Sequence, residues 1–326
     1  MGLSQNFVDA HISNWESQLT SPSYAHRQKW PSRLFHHSPL ENIIPILQSG
    51  HLLSRNHSEK VRKIDVAGPS IIASRADAYD FARLYFRPRT PTQYSIEGIM
   101  KPSDIQHGTH APVLYMLVFD ARKILTEPGI SFSDMNMQSP QAKYGSDEKF
   151  FSAIPFADVY HEGSHPSGSA ITKHRCAEVL APSPMKIDDK LQWIYCRSDA
   201  ERRLLVHMLG PSSAQWLKRI RVSDDLLVFQ KRYPFVKAVS LARNGIVFEL
   251  APRNDGQSIS VKVEVWDNKK AAVCSFIYKK LAATPPPPAP AWRAQHDLKV
   301  GKYLVRLTVE DHLAFEANLV LGNAPF

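Results

Sequence analysis

Cysteine is scarce in this sequence. Cys176, Cys196 and Cys274 are the only three in 326 residues, and no CxxC pair occurs. An odd count without paired spacing excludes a disulfide scaffold and a cysteine-built zinc site. No apolar run reaches the length that spans a bilayer as a helix. The opening segment, MGLSQNFVDAHISNWE, has no basic start and no apolar stretch, so no signal peptide is expected. Asn6 stands where the myristoylation motif requires Ser or Thr. The 14 histidines are scattered, with no HExxH. No GxSxG, GxxxxGK[ST] or GxGxxG is present either, which argues against those hydrolases, P-loop enzymes and Rossmann enzymes. A protein of the reducing cytoplasm, with no metal and no membrane partner, is expected.

What is there is a globular balance: 43% apolar, 22% charged and 10% aromatic residues, in a chain long enough for two domains. Forty basic against 31 acidic residues give a net charge of +9. The excess is clustered between Arg55 and Arg89, and again from Arg202 to Arg232. Such a field favours polyanionic partners, although a solvated basic face has the same composition.

Along the chain, Leu34–His37 reads as a short strand. Ser38 then opens a helix by a capping box with Glu41, Pro39 stands at the first helical position and Gly50 caps the end. Pro45 is a conflict inside that helix. Residues 73–86 read as a helix, or as a helix running into a strand, stopped by Pro88 and Pro91 in an extended loop. VLYMLVFD (113–120), AEVLAP (177–182) and LQWIYC (191–196) read as strands. Residues 130–175 are loop-rich. Ser198 and Glu201 form a second capping box, opening a helix with Leu204, Leu205 and Met208 on one side. WLKRIRVS (216–223) ends this region. Beyond it, IVFELAP, SISVKVEVWD, CSFIYKK, KYLVRLTVED and FEANLVL alternate apolar and polar residues, the pattern of a small antiparallel β-sandwich. PPPPAP (285–290) falls inside that sandwich as a stiff extended loop.

Three clusters carry candidate chemistry. His36 and Ser38 lie at a strand end, where they can hydrogen-bond a ribose or amide, although Ser38 can equally serve only as a cap. Arg75, followed by Arg83, Arg87 and Arg89, supplies forked donors suited to phosphates. Glu178 is a lone carboxylate among apolar residues on a strand. It either points outward or is buried in a cleft where it must be paired.

LFHHSPLENIIPIL, SRADAYDFARLYFRPRTPTQY, FSDMNM and KHRCAEVL, in that order, resemble the DarT family of ADP-ribosyltransferase toxins over residues 30–222. The resemblance implies an α+β chain: an ADP-ribosyltransferase fold, a split mixed β core with flanking helices, over residues 1–223. A small all-β sandwich over 224–326, an accessory or partner-binding module, lies outside the family's core. It implies NAD⁺ as the substrate bound in the split, and transfer of ADP-ribose to a base of single-stranded DNA. In the CmdT-type relatives the acceptor is messenger RNA. It further implies a toxin–antitoxin or anti-phage setting, with an antitoxin and possibly a chaperone as partners. By the same resemblance His36, Ser38, Asn42, Arg75 and Tyr85 bind the cofactor, with Arg75 and Glu178 catalytic. Asp134 and Asn136 match the family's aspartate–asparagine turn, with Met137 in place of a small residue. Residues 144–175 take the place of the substrate-recognition loop. Arg87, Arg89, Tyr144, Lys149 and Lys173 are assigned to the nucleic acid, and Tyr144, Phe150 or Phe151 could stack on a base. Two alternatives remain: a transferase acting on protein, and a non-catalytic nucleic-acid binder with a decayed transferase fold.

Overall fold

The computed structural model describes residues 2–57, 80–105, 110–253, 255–282, 284–285 and 291–322. Arg75, most of the proline run and residues 73–79 lie outside them.

Eight strands form the first sheet: β1 (Arg33–Pro39), β3 (Phe81–Tyr85), β4 (Leu114–Asp120), β5 (Ser131–Ser133), β6 (Tyr144–Gly145), β7 (Glu178–Pro182), β9 (Leu191–Cys196) and β10 (Ile220–Val222). Their order is β10-β9-β4-β1-β3-β7-β5-β6. The short β2 (His51–Leu52) and β8 (Met185–Lys186) pair separately. All neighbours in the large sheet are antiparallel except β9 and β10. Between β1 and β4 the ladder runs continuously from Arg33 opposite Asp120 to Pro39 opposite Leu114. Between β1 and β3 it is a single pair, Phe35 opposite Tyr85. The sheet is therefore split at its middle, and β3 holds instead to β7 over five residues.

β4 sits centrally, and its residues Leu114–Phe119 are all buried, as its unbroken apolar run requires. β9 and β7 also match the sequence reading. Ser38 does not cap a helix. It stays in β1 opposite Tyr115, buried, and the helix Leu40–Ser49 starts after Pro39 without a side-chain cap. Pairing with β4 holds the backbone extended two residues beyond the local signal. The helix passes through Pro45 and ends at Gly50, whose φ of 70° is left-handed and whose N–H donates to Ile46 O at 3.0 Å. Pro91 does not lie in an extended loop. It occupies the first turn of a helix, Pro91–Ile96, capped by Thr90 Oγ1 accepting from Gln93 N at 3.2 Å. A first helix, Gln5–Gln18, carried too weak an apolar stripe to be read, with only Val8 and Ile12 buried.

The second capping box forms in part. Ser198 Oγ accepts from Glu201 N at 3.2 Å and opens the helix Asp199–Leu209. The Glu201 carboxylate turns to Arg197 instead, taking its backbone N–H at 3.0 Å and its Nε at 2.8 Å. Leu204 and Leu205 are buried, whereas Met208 is on the exposed side.

The C-terminal strands form a sandwich of two sheets. One is β11 (Val236–Ala242), β12 (Gly245–Leu250) and β15 (Trp292–Gln295). The other, in the order β14-β13-β16-β17, uses β13 (Ile259–Asp267), β14 (Ala272–Leu281), β16 (Gly301–Val309) and β17 (His312–Leu321). Val261, Val263 and Val265 alternate inward from β13, and Val305, Leu307 and Val309 from β16, against Ile246, Phe248 and Leu250. Leu226, Val228 and Phe229 belong to the first core, and Val236 onward to the second. Ser198 Oγ donates to Val236 O at 2.5 Å, and Arg253 Nη2 meets Asp104 at 2.9 Å, so the two cores are stitched together.

Arg197 and Glu201 are both buried at this seam. Removing one partner of such a pair leaves the other charge unpaired, at a cost of about 3–5 kcal/mol. Glu201→Ala should lose that much in chemical denaturation. Lys237→Ala, which breaks an exposed pair with Glu249, should lose less than about 1 kcal/mol.

Candidate active site

The split in the sheet opens into a cleft of about 1020 Å³. His36 and His37 reach it from β1, Arg83 and Tyr85 from β3, and Asn136 from the turn after β5. Arg87, Arg89 and Thr92 line it from the segment after β3, and Glu162 and Arg175 from the region before β7.

Glu178 begins β7 opposite Tyr85 and is completely buried. Its Oε2 accepts the Met137 N–H at 2.8 Å. Its backbone N–H donates to Ser133 Oγ at 3.2 Å, so β5 and the following turn hold both ends of the residue. Asn136 shapes that turn, its Oδ1 accepting from Gln138 N at 2.9 Å. Asp134 Oδ1 takes the Lys143 N–H at 3.0 Å and closes the turn's base. The Glu178 Oε1 has no hydrogen-bond partner among the described residues, and Arg83 Nη1 is 3.7 Å away. Burial pushes the Glu178 carboxyl above the usual range, while Arg83, the Met137 N–H and the neighbouring Tyr85 hydroxyl pull it back. The carboxylate thus lies under the cleft, and the side chains that meet it, Arg83 and Tyr85, line the cleft.

His36 Nδ1 is 2.9 Å from Arg83 O. A carbonyl only accepts, so Nδ1 carries the proton, and burial keeps the ring neutral, leaving Nε2 an acceptor. His37 is stacked on Tyr85, with centroids 5.4 Å apart and planes at 7°. Burial drives its pKa down to about 3, and neither ring nitrogen has a hydrogen-bond partner among the described residues. The Tyr85 phenol is held well above its ordinary value by burial and by the nearby Glu178 charge.

The arginines divide by what they already bind. Arg87 is buried, with its guanidinium over the Trp30 ring at 4.9 Å. Its donors go to Pro88 O at 3.0 Å, Val159 O at 3.2 Å, His161 O and Glu162. It ties the strand exit to residues 159–162 and is saturated there. Arg89, at a left-handed φ of 57°, shares Glu162 through Nη1 at 3.4 Å and keeps part of its side chain in the cleft. Arg175 donates to Gly163 O at 3.0 Å and to His161 Nδ1 at 2.7 Å.

Ser38 and half-buried Asn42 do not reach the cleft wall. Tyr144 and Lys149 are exposed on β6 and on the helix Glu148–Ala153. Exposed Lys173 donates to Gln141 at 2.8 Å. Phe150 packs against the core, and Phe151 is completely buried among Phe86, Phe132 and Phe156, so Phe151 offers no face to a base. The sequence reading left His37, Glu162 and Arg175 out of the site, and named Arg83 only among the arginines suited to phosphates, without placing it beside Glu178. Arg83 was legible, because residues two apart on a strand share a face and Tyr85 was already named.

Removing the Arg83 charge should raise the Glu178 pKa further. Carboxyl titration by NMR in Arg83→Gln should show an upward shift. An unmoved titration would contradict the pairing.

The sequence model of DarT, described as a ssDNA thymidine ADP-ribosyltransferase, matches residues 35–227. No curated protein matches. Among solved structures, DarT of Thermus sp. 2.9 in complex with NAD⁺ is 17% identical, with a TM-score of 0.48 over 60% of this chain and 97% of that one. The same protein with ADP-ribosylated ssDNA gives 18% and 0.46, over 60% and 96%. DarTG of Thermosipho africanus in complex with ADP-ribose gives 20% and 0.43, over 67% and 55%. With the family model covering more than half of its length, the chain belongs to the DarT family, NAD-dependent ADP-ribosyltransferases of single-stranded DNA.

Proposed function

We propose that this protein transfers ADP-ribose from NAD⁺ to thymine in single-stranded DNA, with Glu178 as the catalytic carboxylate. One observation carries the reading: Glu178 is buried, anchored through one oxygen, and its second oxygen accepts no hydrogen bond among the described residues, with Arg83 of the cleft wall 3.7 Å away. A buried carboxylate oxygen without a hydrogen bond is costly, and a ligand hydroxyl would complete it.

The cleft residues fit NAD⁺. Arg83, Arg89 and Arg175 suit a pyrophosphate. The neutral rings of His36 and His37 suit the nicotinamide riboside, since their unprotonated nitrogens accept hydroxyl or amide protons. NAD⁺ supplies the ADP-ribosyl group: the bond from ribose C1′ to nicotinamide breaks, and one from C1′ to the acceptor nitrogen forms. Glu178 stabilises the positive charge that develops on the sugar, and does so strongly because its surroundings exclude water. Its raised pKa also suits it to accept the acceptor nitrogen's proton. Arg83 favours the ionised form of the carboxylate against the effect of burial. Arg75, the arginine that the family resemblance marks as catalytic, lies outside the described residues and stays part of the proposal for pyrophosphate binding.

The acceptor strand lies against the basic wall. Arg89, Lys149 and Lys173 serve its phosphates and Tyr144 a base, with Arg87 fixing the wall from behind. Base modification blocks templating, so the setting we propose is a toxin–antitoxin or anti-phage system of the cytoplasm, with an antitoxin as partner. No helix among the described residues is long and apolar enough to cross a membrane. Residues 1–223 form the transferase unit in this reading, and 224–326 an accessory one.

Purified protein with NAD⁺ and thymine-containing single-stranded oligonucleotides should add one ADP-ribose, mapped by mass spectrometry. Glu178→Gln should slow this by about 100-fold or more. A matched RNA arm reads the messenger-RNA alternative, and a protein-only product would overturn the nucleic-acid acceptor. Wild-type rates in Glu178→Gln would overturn the site.

A further inference from the structure

A second cavity, of about 500 Å³, lies on the outer face of the four-stranded sheet of the β domain. Apart from His207, its lining falls beyond the residues that match the family. The size is within the range that organic ligands occupy, about 300–1,000 Å³.

Trp266, near the end of β13 and opposite Leu304 of β16, lines it. A register break between Val265 and Trp266 against β14 marks a bulge there, a device that re-aims a side chain. The indole alternates with inward Val265, so it stands on the outer face and is only half-buried. The Arg306 guanidinium lies 5.3 Å from the indole centroid. Arg306 is fixed by Glu316, which also meets His207 Nε2 at 3.3 Å. The platform is therefore organised by its own ion network before any ligand arrives.

Two further cations flank it. Lys270 sits in the β13–β14 turn and exposed Lys302 on β16, both lining the cavity. Among the described residues neither forms an ion pair. The acid in the lining, Asp267, turns Oδ1 to the turn backbone, taking the Lys269 and Ala271 N–H groups at 2.8 and 2.9 Å.

An aromatic face beside uncommitted ammonium groups is the combination that binds single strands without reading sequence. We propose that this cavity is a second docking site for single-stranded nucleic acid, with a base stacked on Trp266 and adjacent phosphates on Lys270 and Lys302. A lone anion has no need of the indole, and an apolar ligand no need of the lysines. The inference rests on the Proposed function only for the identity of the strand. The site captures substrate and takes no part in the chemistry.

The test uses the full chain without NAD⁺. Fluorescence anisotropy compares labelled oligothymidylates of about 16 and about 4 nucleotides. Trp266→Ala should weaken binding of the long strand about tenfold, and Trp266→Phe should restore most of it. The double variant Lys270→Ala/Lys302→Ala should lower the slope of log K against log salt by about 1.4. Circular dichroism and melting should stay unchanged, and so should the modification rate of the short oligonucleotide. If wild type binds the long strand through Trp266 but modifies no oligonucleotide, the docking site stands and the catalytic reading fails. If the variants bind the long strand as wild type does, the proposal is overturned. It is also overturned if poly-glutamate occupies the site, by quenching of Trp266 fluorescence, and the oligonucleotide does not displace it.

Discussion

A fully buried carboxylate is expensive, and the elements around Glu178 are arranged to hold it. The expense is offset at Oε2 by the Met137 N–H and at Oε1 by the charge of Arg83, 3.7 Å away. Oε1 accepts no hydrogen bond among the described residues. β5, the turn through Asn136 and the pairing of β7 with β3 all converge on holding this one group. The split beside β3 puts the cleft within reach of it. Anchoring by one oxygen fixes the other in place, and such preorganisation is what a carboxylate needs to act on developing charge.

The cleft walls are built from a distance. Arg87 looks like a surface cation but works as a buried strut between Trp30 and residues 159–162. Glu97 does the same work nearer the β domain. Its carboxylate takes the Gln230 and Lys231 N–H groups at 2.9 and 2.9 Å, and Gln93 Nε2 at 2.7 Å. That seats the segment leading to the β domain against the helix Pro91–Ile96. Leu227 and Gln230, on that segment, line the cleft. The β domain is thus joined to the rest of the chain at a wall of the cleft.

Much of this was legible where one period dominated. β4 and β9 announced themselves by apolar runs, the sandwich by alternation, and the helix at Asp199 by its capping serine. Glu178 stood out as the wrong residue type for its strand, although its direction was open until the structure turned it inward. What stayed hidden depends on partners far along the chain. Ser38 has every local mark of a cap, yet its backbone is claimed by β4, about 80 residues away. Phe151 looked available for stacking but fills the core beneath the first helix. Charge patterning cannot separate Arg87 from Arg89, because only tertiary contacts decide which guanidinium is saturated.

The most direct measurement is a crystal structure of the protein with a non-cleavable NAD⁺ analogue. The account predicts Glu178 Oε1 at hydrogen-bond distance, about 2.6–3.2 Å, from a hydroxyl of the nicotinamide ribose, with His36 and His37 on the same half of the ligand. A dinucleotide seated elsewhere, with the Glu178 carboxylate still sealed beneath Arg83 and Tyr85, would contradict it.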